Sequence, residues 1–415
     1  MKLEEKLIRG FSRIINKVPI LFLPIYWFSF LIPRNKNIWV FGSSFGKSFT
    51  GNPKYFYLYV NNKQSSIRPI WISEREEIVS KLQSNGYEAY SKYSFNGLKY
   101  SLFAGMYIFD HYSKDICFWL SGGAIKVNLW HGIPLKKGHR DNKFDKVRNP
   151  QNIYDKVRWI FRRIQNEKPS HFYSVTSNYM KNIHKRAFNA IDERVFVCGY
   201  PRNDIFFNSE YLYQKDEIIA NSYESFSNIY NEKNKGKNII IYMPTFRQSE
   251  SKFFEIVDLD KFNSFLKEND FILLIKAHHL SKLTKEFDEI EYSNIVSIKS
   301  TDDPYPLLNI SDILITDYSS VYFDFLLTNR PIIFFPYDME IYINESRELY
   351  YDYNEVTPGI KVETMDELME AIQYYLDGKD NFETKRQEIL NMMFDYNDGK
   401  SSERLYQKLV KLIEC

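Results

Sequence analysis

Short apolar runs rich in β-branched and aromatic residues alternate with polar or helix-periodic stretches along this chain, and that alternation limits its fold more than any other feature. The runs fall at 37–42, 68–72, 106–109, 125–130, 172–176 and 194–198. After Asn208 comes a stretch rich in Ser, Asn and Lys that ends near Lys237, and the pattern then restarts at 238–243, 271–276, 294–298, 312–316 and 331–335. Unbroken apolar runs are what parallel strands buried on both faces require, and the intervening stretches are long enough for helical crossovers. The expectation is an α/β protein of two doubly wound domains, which 415 residues can supply. The boundaries read as an N-terminal segment at 1–36, a first domain at 37–215, a second at 235–400 and a C-terminal helix at 401–415.

Composition excludes several classes. The 55 Lys and Arg nearly balance 53 Asp and Glu, so no global charge points to nucleic acid as a partner. Three widely spaced cysteines form no C-x-x-C pair, which argues against a zinc ribbon or disulfide framework and for a reducing compartment. Residues 18–33 are uncharged but short for a membrane span, and Pro19 and Pro24 interrupt them. No small-residue cleavage site follows, so a signal peptide is not expected. Leu3, Leu7, Ile8, Phe11, Ile14 and Ile15 share one helical face among basic residues, with Tyr26 and Trp27 suited to headgroup level. This reads as an interfacial anchor; a core helix followed by a packing segment is the competing reading.

Parallel sheets place ligands beyond the carboxyl ends of their strands, so the residues after each run carry the chemistry. Asn128-Leu129-Trp130-His131-Gly132-Ile133-Pro134-Leu135 delivers a histidine to a Gly/Pro-bounded turn, making His131 a candidate general base or a structural histidine. Gly199-Tyr200-Pro201-Arg202 offers a guanidinium fork suited to phosphate. Pro244-Thr245 follows a strongly β run, and Thr245 has a hydroxyl and an unpaired amide to offer; a strand-ending turn explains it equally well. Lys276-Ala277-His278-His279 ends a buried run with a cation and two imidazoles, which are costly beside a core unless they meet an anion or a proton. Adjacent histidines in extended chain point to opposite faces, and no Asp-x-Asp stands at a strand end, so no metal is expected. Ser319 and Ser320 precede a helix-like segment containing Asp324, a pattern for anion binding or for ordinary N-capping.

Taken together and in order, WHGIPLKK, GYPRND, YMPTFR, LIKAHH and TDYSSVYFDFLLTNRPIIFFPYDMEIY resemble the CDP-glycerol glycerophosphotransferase family, which primes or polymerises teichoic acids and related polyol-phosphate capsules. The likeness spans roughly 37–400, and Phe45-Gly46-Lys47 with Gly51-Asn52-Pro53-Lys54-Tyr55 is similar to the family's N-terminal loop. It implies a GT-B type fold of two Rossmann-like domains with an interdomain cleft, a CDP-polyol donor and no cofactor. It further implies a lipid-linked acceptor and peripheral, monotopic attachment to the cytoplasmic face of the membrane. By the same resemblance His131 and His278 are catalytic, and Gly132, Ile133, Pro134, Leu135, Arg202, Pro244, Thr245, Lys276, Ala277, Ser319, Ser320 and Asp324 contact the donor. Ile133 stands where Thr is common and Lys276 where Arg is common, which trades a bidentate contact for a point charge.

The implied chemistry is phosphoryl transfer between alcohols. His131 takes the proton of an acceptor hydroxyl, and Arg202, Lys276, His278 and the Ser319/Ser320 turn receive the developing charge, with Asp324 on ribose or glycerol hydroxyls. The alternatives are a ribitol-phosphate transferase, a nucleotide-sugar glycosyltransferase of the same fold and a non-catalytic assembly subunit. Ten Lys/Arg against three Asp between Lys136 and Arg163, with Val157, Ile160, Phe161 and Ile164 at helical spacing, read as a basic amphipathic helix facing anionic lipid or as a solvated basic face.

Overall fold

All of the strand pairs are parallel in the computed structural model, which describes residues 23–63, 65–143, 150–162, 170–208, 223–245, 251–277, 292–299, 301–339 and 348–414. The first sheet comprises β1 (Asn35–Phe41), β2 (Arg68–Ser73), β3 (Ala89–Ser91), β4 (Ala104–Phe109), β5 (Ile125–Asn128), β6 (Phe172–Val175) and β7 (Val195–Val197). The second comprises β8 (Asn238–Met243), β9 (Phe271–Ile275), β10 (Ile295–Ser297), β11 (Ile313–Thr316), β12 (Ile332–Phe334) and β13 (Ile360–Lys361). Their orders are 3-2-1-4-5-6-7 and 10-9-8-11-12-13, so each sheet grows outward from its first strand in both directions. Each of the eleven apolar runs is a strand. The two strands not foreseen, β3 (Ala-Tyr-Ser) and β13 (Ile-Lys), are short edge strands without an apolar run, unlike the comparably short edge strands β7 and β10.

Side-chain alternation divides the first sheet's faces chemically. Ile38, Val40, Ile70 and Ile72 join Tyr107, Phe109 and Ile116 in one aliphatic-rich cluster. On the other face Phe41 meets Phe56 and Tyr57 of the helix Gly51–Asn62 at ring distances of 5.9 and 5.3 Å, and Tyr57 meets Trp71 at 5.6 Å. In the second sheet Ile240, Leu273, Ile275, Ile313 and Ile315 pack with Phe262 and Leu266 of the helix Leu259–Glu268, and with Leu368 and Ile372 of the helix Met365–Leu376. Asp258 caps the former helix, and a Thr364/Glu367 capping box starts the latter.

Contacts group the chain into two units, one of Met1–His131, His139–Asp204 and Asp398–Cys415, the other of Gly132–Gly138 and Ile205–Asn397. The division falls at Asp204 where the sequence placed it at 215, because Phe206 and the Ile205 carbonyl already engage Tyr305 and Asn309. The C-terminal helix Ser401–Glu414 belongs to the first unit: Tyr406 lies 6.0 Å from both Trp39 and Tyr59. Asp204 sets where this helix begins. Its buried carboxylate accepts the Ser401 and Ser402 amides, each at 2.8 Å, and so satisfies two of the donors that a helix start leaves open. Gly199, at φ +85°, lies so close to Ser401 that a side chain there would collide with it.

Tyr26, expected beside Trp27 at a membrane surface, is instead buried and stacked on Phe118 at 4.5 Å. Residues 1–22, which carry the expected anchor helix, lie outside the described residues, as do His278 and His279.

Asp204→Ala strips two buried amides of their acceptor and is expected to lower stability by about 1–3 kcal/mol, read as a lower urea midpoint with an unchanged slope. An unshifted midpoint would show that the cap contributes nothing.

Candidate active site

In a doubly wound sheet the crevice opens where strand order reverses, between β1 and β4 in the first sheet and between β8 and β11 in the second. The first unit fills that position with a polar cluster. Asp110, directly after β4, accepts the Ser43 hydroxyl at 2.7 Å and the Ser44 amide at 3.2 Å from the end of β1. Its neighbour His111 brings Nδ1 to within 2.7 Å of the same carboxylate. Asp115 is fully buried and accepts the amides of Phe45, His111 and Tyr112 at 3.0, 2.9 and 3.2 Å. Gly51 must be a glycine: it sits at φ +71°, and a Cβ there would lie 2.9 Å from Asp110 Oδ2.

His131 arrives on the strained turn after β5. Trp130 holds φ at +53°, a left-handed value uncommon outside glycine. The turn is over-determined by its neighbours: Asn128 Oδ1 accepts the Trp130 amide, and the Asn52 side chain donates to the carbonyls of Leu129 and Trp130 at 3.0 and 2.8 Å. Asn52 also accepts the Arg202 amide, and Arg202 Nη1 donates to the His131 carbonyl at 3.0 Å. The fork expected to face phosphate therefore commits one arm to the turn.

The His131 ring is fixed by two contacts. Nδ1 lies 3.3 Å from the Asp110 carbonyl, and because a carbonyl can only accept, Nδ1 carries the hydrogen and Nε2 keeps the lone pair. The ring also stacks on His111, with centroids 4.4 Å apart and planes at 14°. Burial of its inner side and the neighbouring His111 cation hold its pKa below the ordinary imidazole value; the Asp110 carboxylate opposes this, and the ring's exposed side softens it.

Among the described residues, one trio of potential metal ligands gathers its atoms within 4.8 Å: Asp110, His111 and Asp115. Each carboxylate oxygen of the trio already accepts a hydrogen bond, so an ion would have to displace backbone amides or the Ser43 hydroxyl. Sequence reading missed Ser43, Asp110, His111 and Asp115. The signal was present, since Asp110 and His111 follow an apolar run directly, but their partners are distant in the chain.

The loop after His131 clusters with the second unit. Leu135 accepts the Tyr350 amide, Lys136 bridges Leu349, and Lys137 donates to the Glu348 carbonyl. Ile133 and Leu135 bury their side chains, so only the main chain of these two can face a ligand. At the second sheet's reversal the Thr245 amide, expected to be unpaired, donates to both Asp317 oxygens at 2.9 and 3.1 Å. β8 and β11 are neighbours, so the aspartate after one strand closes the open end of the other. Lys276, at the end of β9, donates to the Lys299 carbonyl, and burial pushes its pKa down to about 8 against the nearby Asp302 and Asp303. Ser320 begins the helix Val321–Phe325 without a side-chain cap, so ordinary capping does not account for it. That helix has only five residues, which leaves little dipole for an anion. Asp324 is fully buried and accepts the Tyr305 hydroxyl at 2.6 Å, a brace for the segment in this conformation. Pro244 and Ala277 complete the strand ends beside Thr245 and Lys276.

Comparison with known proteins gives these strand ends a context. The family described as CDP-Glycerol:Poly(glycerophosphate) glycerophosphotransferase matches residues 25–411. A teichoic acid poly(glycerol phosphate) polymerase of Bacillus spizizenii is 30% identical over 383 residues, 87% of this chain and 90% of that protein. A teichoic acid glycerol-phosphate transferase of Staphylococcus aureus is 28% identical over 91% of this chain and 94% of its own. A solved structure of a histidine-to-alanine variant of the wall teichoic acid polymerase TagF shares the fold, with a TM-score of 0.75 and 24% identity over 100% of this chain and 99% of that one. With a match that runs nearly from end to end and includes the His131 turn, the chain belongs to the CDP-glycerol:poly(glycerophosphate) glycerophosphotransferase family and is an enzyme of that kind.

Proposed function

We propose that the protein transfers glycerol phosphate from CDP-glycerol to a hydroxyl of a membrane-linked acceptor and releases CMP, in the synthesis of teichoic acid or a related surface polymer. The observation that carries this reading is His131, held on a strained turn with Nδ1 tied to the Asp110 carbonyl and Nε2 left as proton acceptor. The acceptor oxygen attacks the β-phosphorus as Nε2 takes its proton. The new P–O bond forms as the bond to the α-phosphate oxygen breaks, and CMP leaves with that electron pair. Lys276, at the carboxyl edge of the second sheet, is the cation this reading assigns to phosphate charge: at a pKa of about 8 it is mostly protonated at neutral pH, and an arriving anion would hold it so. No metal is invoked, since cations and main-chain amides can receive the charge.

The first unit also carries apolar surface suited to lipid. In the helix Leu23–Phe28 and the turn after it, Trp27 is 62% and Leu31 76% exposed, with Phe28 and Phe30 also open. The helix Ile153–Arg162 exposes Ile153, Tyr154 and Val157 within the basic stretch. No helix among the described residues is long and apolar enough to cross a membrane. A monotopic interfacial attachment, apolar side chains in the headgroup region and cations on anionic lipid, fits this surface.

Purified protein offered CDP-glycerol, CDP-ribitol or UDP-sugars with a lipid-linked acceptor is expected to release CMP fastest from CDP-glycerol. Turnover of UDP-sugars alone would overturn the reading. His131→Asn is expected to lower kcat about 10²–10⁴-fold. Asn52→Ala and Arg202→Lys loosen the turn and should each lower kcat roughly 10–100-fold, with a smaller change in the KM for CDP-glycerol. Equal loss in both parameters would place Arg202 on the donor instead. Trp27→Ser combined with Leu31→Ser should reduce co-sedimentation with phosphatidylglycerol vesicles at both low and high salt. If the full chain fails to sediment with these vesicles at low salt, the attachment is wrong.

A further inference from the structure

The motifs that identify the family do not include His111, yet this histidine is held by several groups at once. Its Nδ1 lies 2.7 Å from Asp110 Oδ1 and 4.0 Å from Asp115 Oδ2. Asp110 is in turn pinned by Ser43 and Ser44. Phe45 lies 5.2 Å from one side of the assembly, and the His131 ring stacks nearly parallel at 4.4 Å. We propose that His111 is a positioning residue for the transfer, a charged platform held by Asp110 that orients the His131 ring and keeps it in the neutral, proton-accepting form. The proposal rests on the reading of His131 as the base.

Two stacked imidazoles at this distance do not both hold a second proton cheaply. Like charges 4.4 Å apart oppose each other by about one to three pH units for effective dielectric constants from about 60 down to about 20. The geometry decides which ring carries the charge. His111 faces two carboxylates, whereas His131 faces a carbonyl through Nδ1 and the Arg202 cation from the neighbouring turn. Burial pulls the His111 pKa down, but the Asp110 carboxylate and then Asp115 more than reverse this and take it to about 9, with Lys114 opposing. Asp115 itself is pushed up to about 7 by burial and by Asp110, while His111 and its backbone donors pull it back. At neutral pH the proton therefore resides on His111, and His131 is the free base.

The sign of the effect follows. With the cation removed and Asp110 left unneutralised, His131 binds a proton more readily, its pKa rises, and the acidic limb of the rate profile moves to higher pH.

The test uses full-length protein labelled with ¹³C at histidine Cε1, with the two resonances assigned by their loss in His131→Asn and His111→Gln. In the wild-type protein His131 should titrate below the ordinary imidazole midpoint and His111 above it. In His111→Gln, the His131 midpoint and the acidic limb of kcat/KM should both rise by about one pH unit or more, alongside a lower melting temperature from the buried Asp110 charge left unmet. A wild-type His131 midpoint at or above the ordinary value, or one unmoved by His111→Gln, would overturn the proposal. If His111→Gln does not fold, the two wild-type midpoints decide alone. Full activity of His131→Asn would remove the base reading, while the midpoints would still test the histidine pairing independently.

Discussion

A parallel sheet that grows outward from its first strand leaves two neighbouring carboxyl ends whose connections depart to opposite faces, and both sheets of this protein are built that way. The open ends expose main-chain amides that need acceptors. Each unit answers with an aspartate directly after the strand on the far side of the reversal. Asp110 after β4 takes the Ser43 hydroxyl and Ser44 amide beyond β1, and Asp317 after β11 takes the Thr245 amide beyond β8. The same constraint therefore produces a polar floor at the same topological point twice, and the functional groups rest on these floors.

Burying carboxylates is costly unless their charge is met. Asp115 and Asp317 each accept backbone amides from the segment they hold, which makes them structural anchors. Asp110 is different because one of its partners is an ionisable ring. The His111 ring rests on that buried carboxylate beside His131, and the strained Trp130 backbone brings His131 onto it. Asn52 and Arg202 hold that backbone strain from the outside. The turn, the platform and the latch are thus one interlocked arrangement, and none of them stands alone.

Several parts of this were legible in the chain. The apolar runs marked their strands because strands buried on both faces of a parallel sheet are mostly apolar. β3 and β13 escaped because Ala-Tyr-Ser and Ile-Lys form no apolar run, whereas the comparably short edge strands β7 and β10 do. His131 stood out through its Gly/Pro turn, and Thr245, Lys276 and Ser320 through their places after apolar runs. The partners of these residues did not stand out. Thr245 was read with an unpaired amide, whereas Asp317, 72 positions later, accepts it. Tyr26 and Trp27 are adjacent and amphipathic alike, yet one is stacked on Phe118 and the other faces outward.

The sequence by itself determined the strands, their parallel class and the order in which chemical groups reach the strand ends, because these depend on hydrophobic period and local turn chemistry. The pairing of Ser43 with Asp110, of His111 with His131 and of Asp204 with the last helix was decided by tertiary structure. Those contacts join residues 67, 20 and about 200 positions apart. Only strand order brings them together, and strand order is set by how whole crossovers pack, not by any local run of residues.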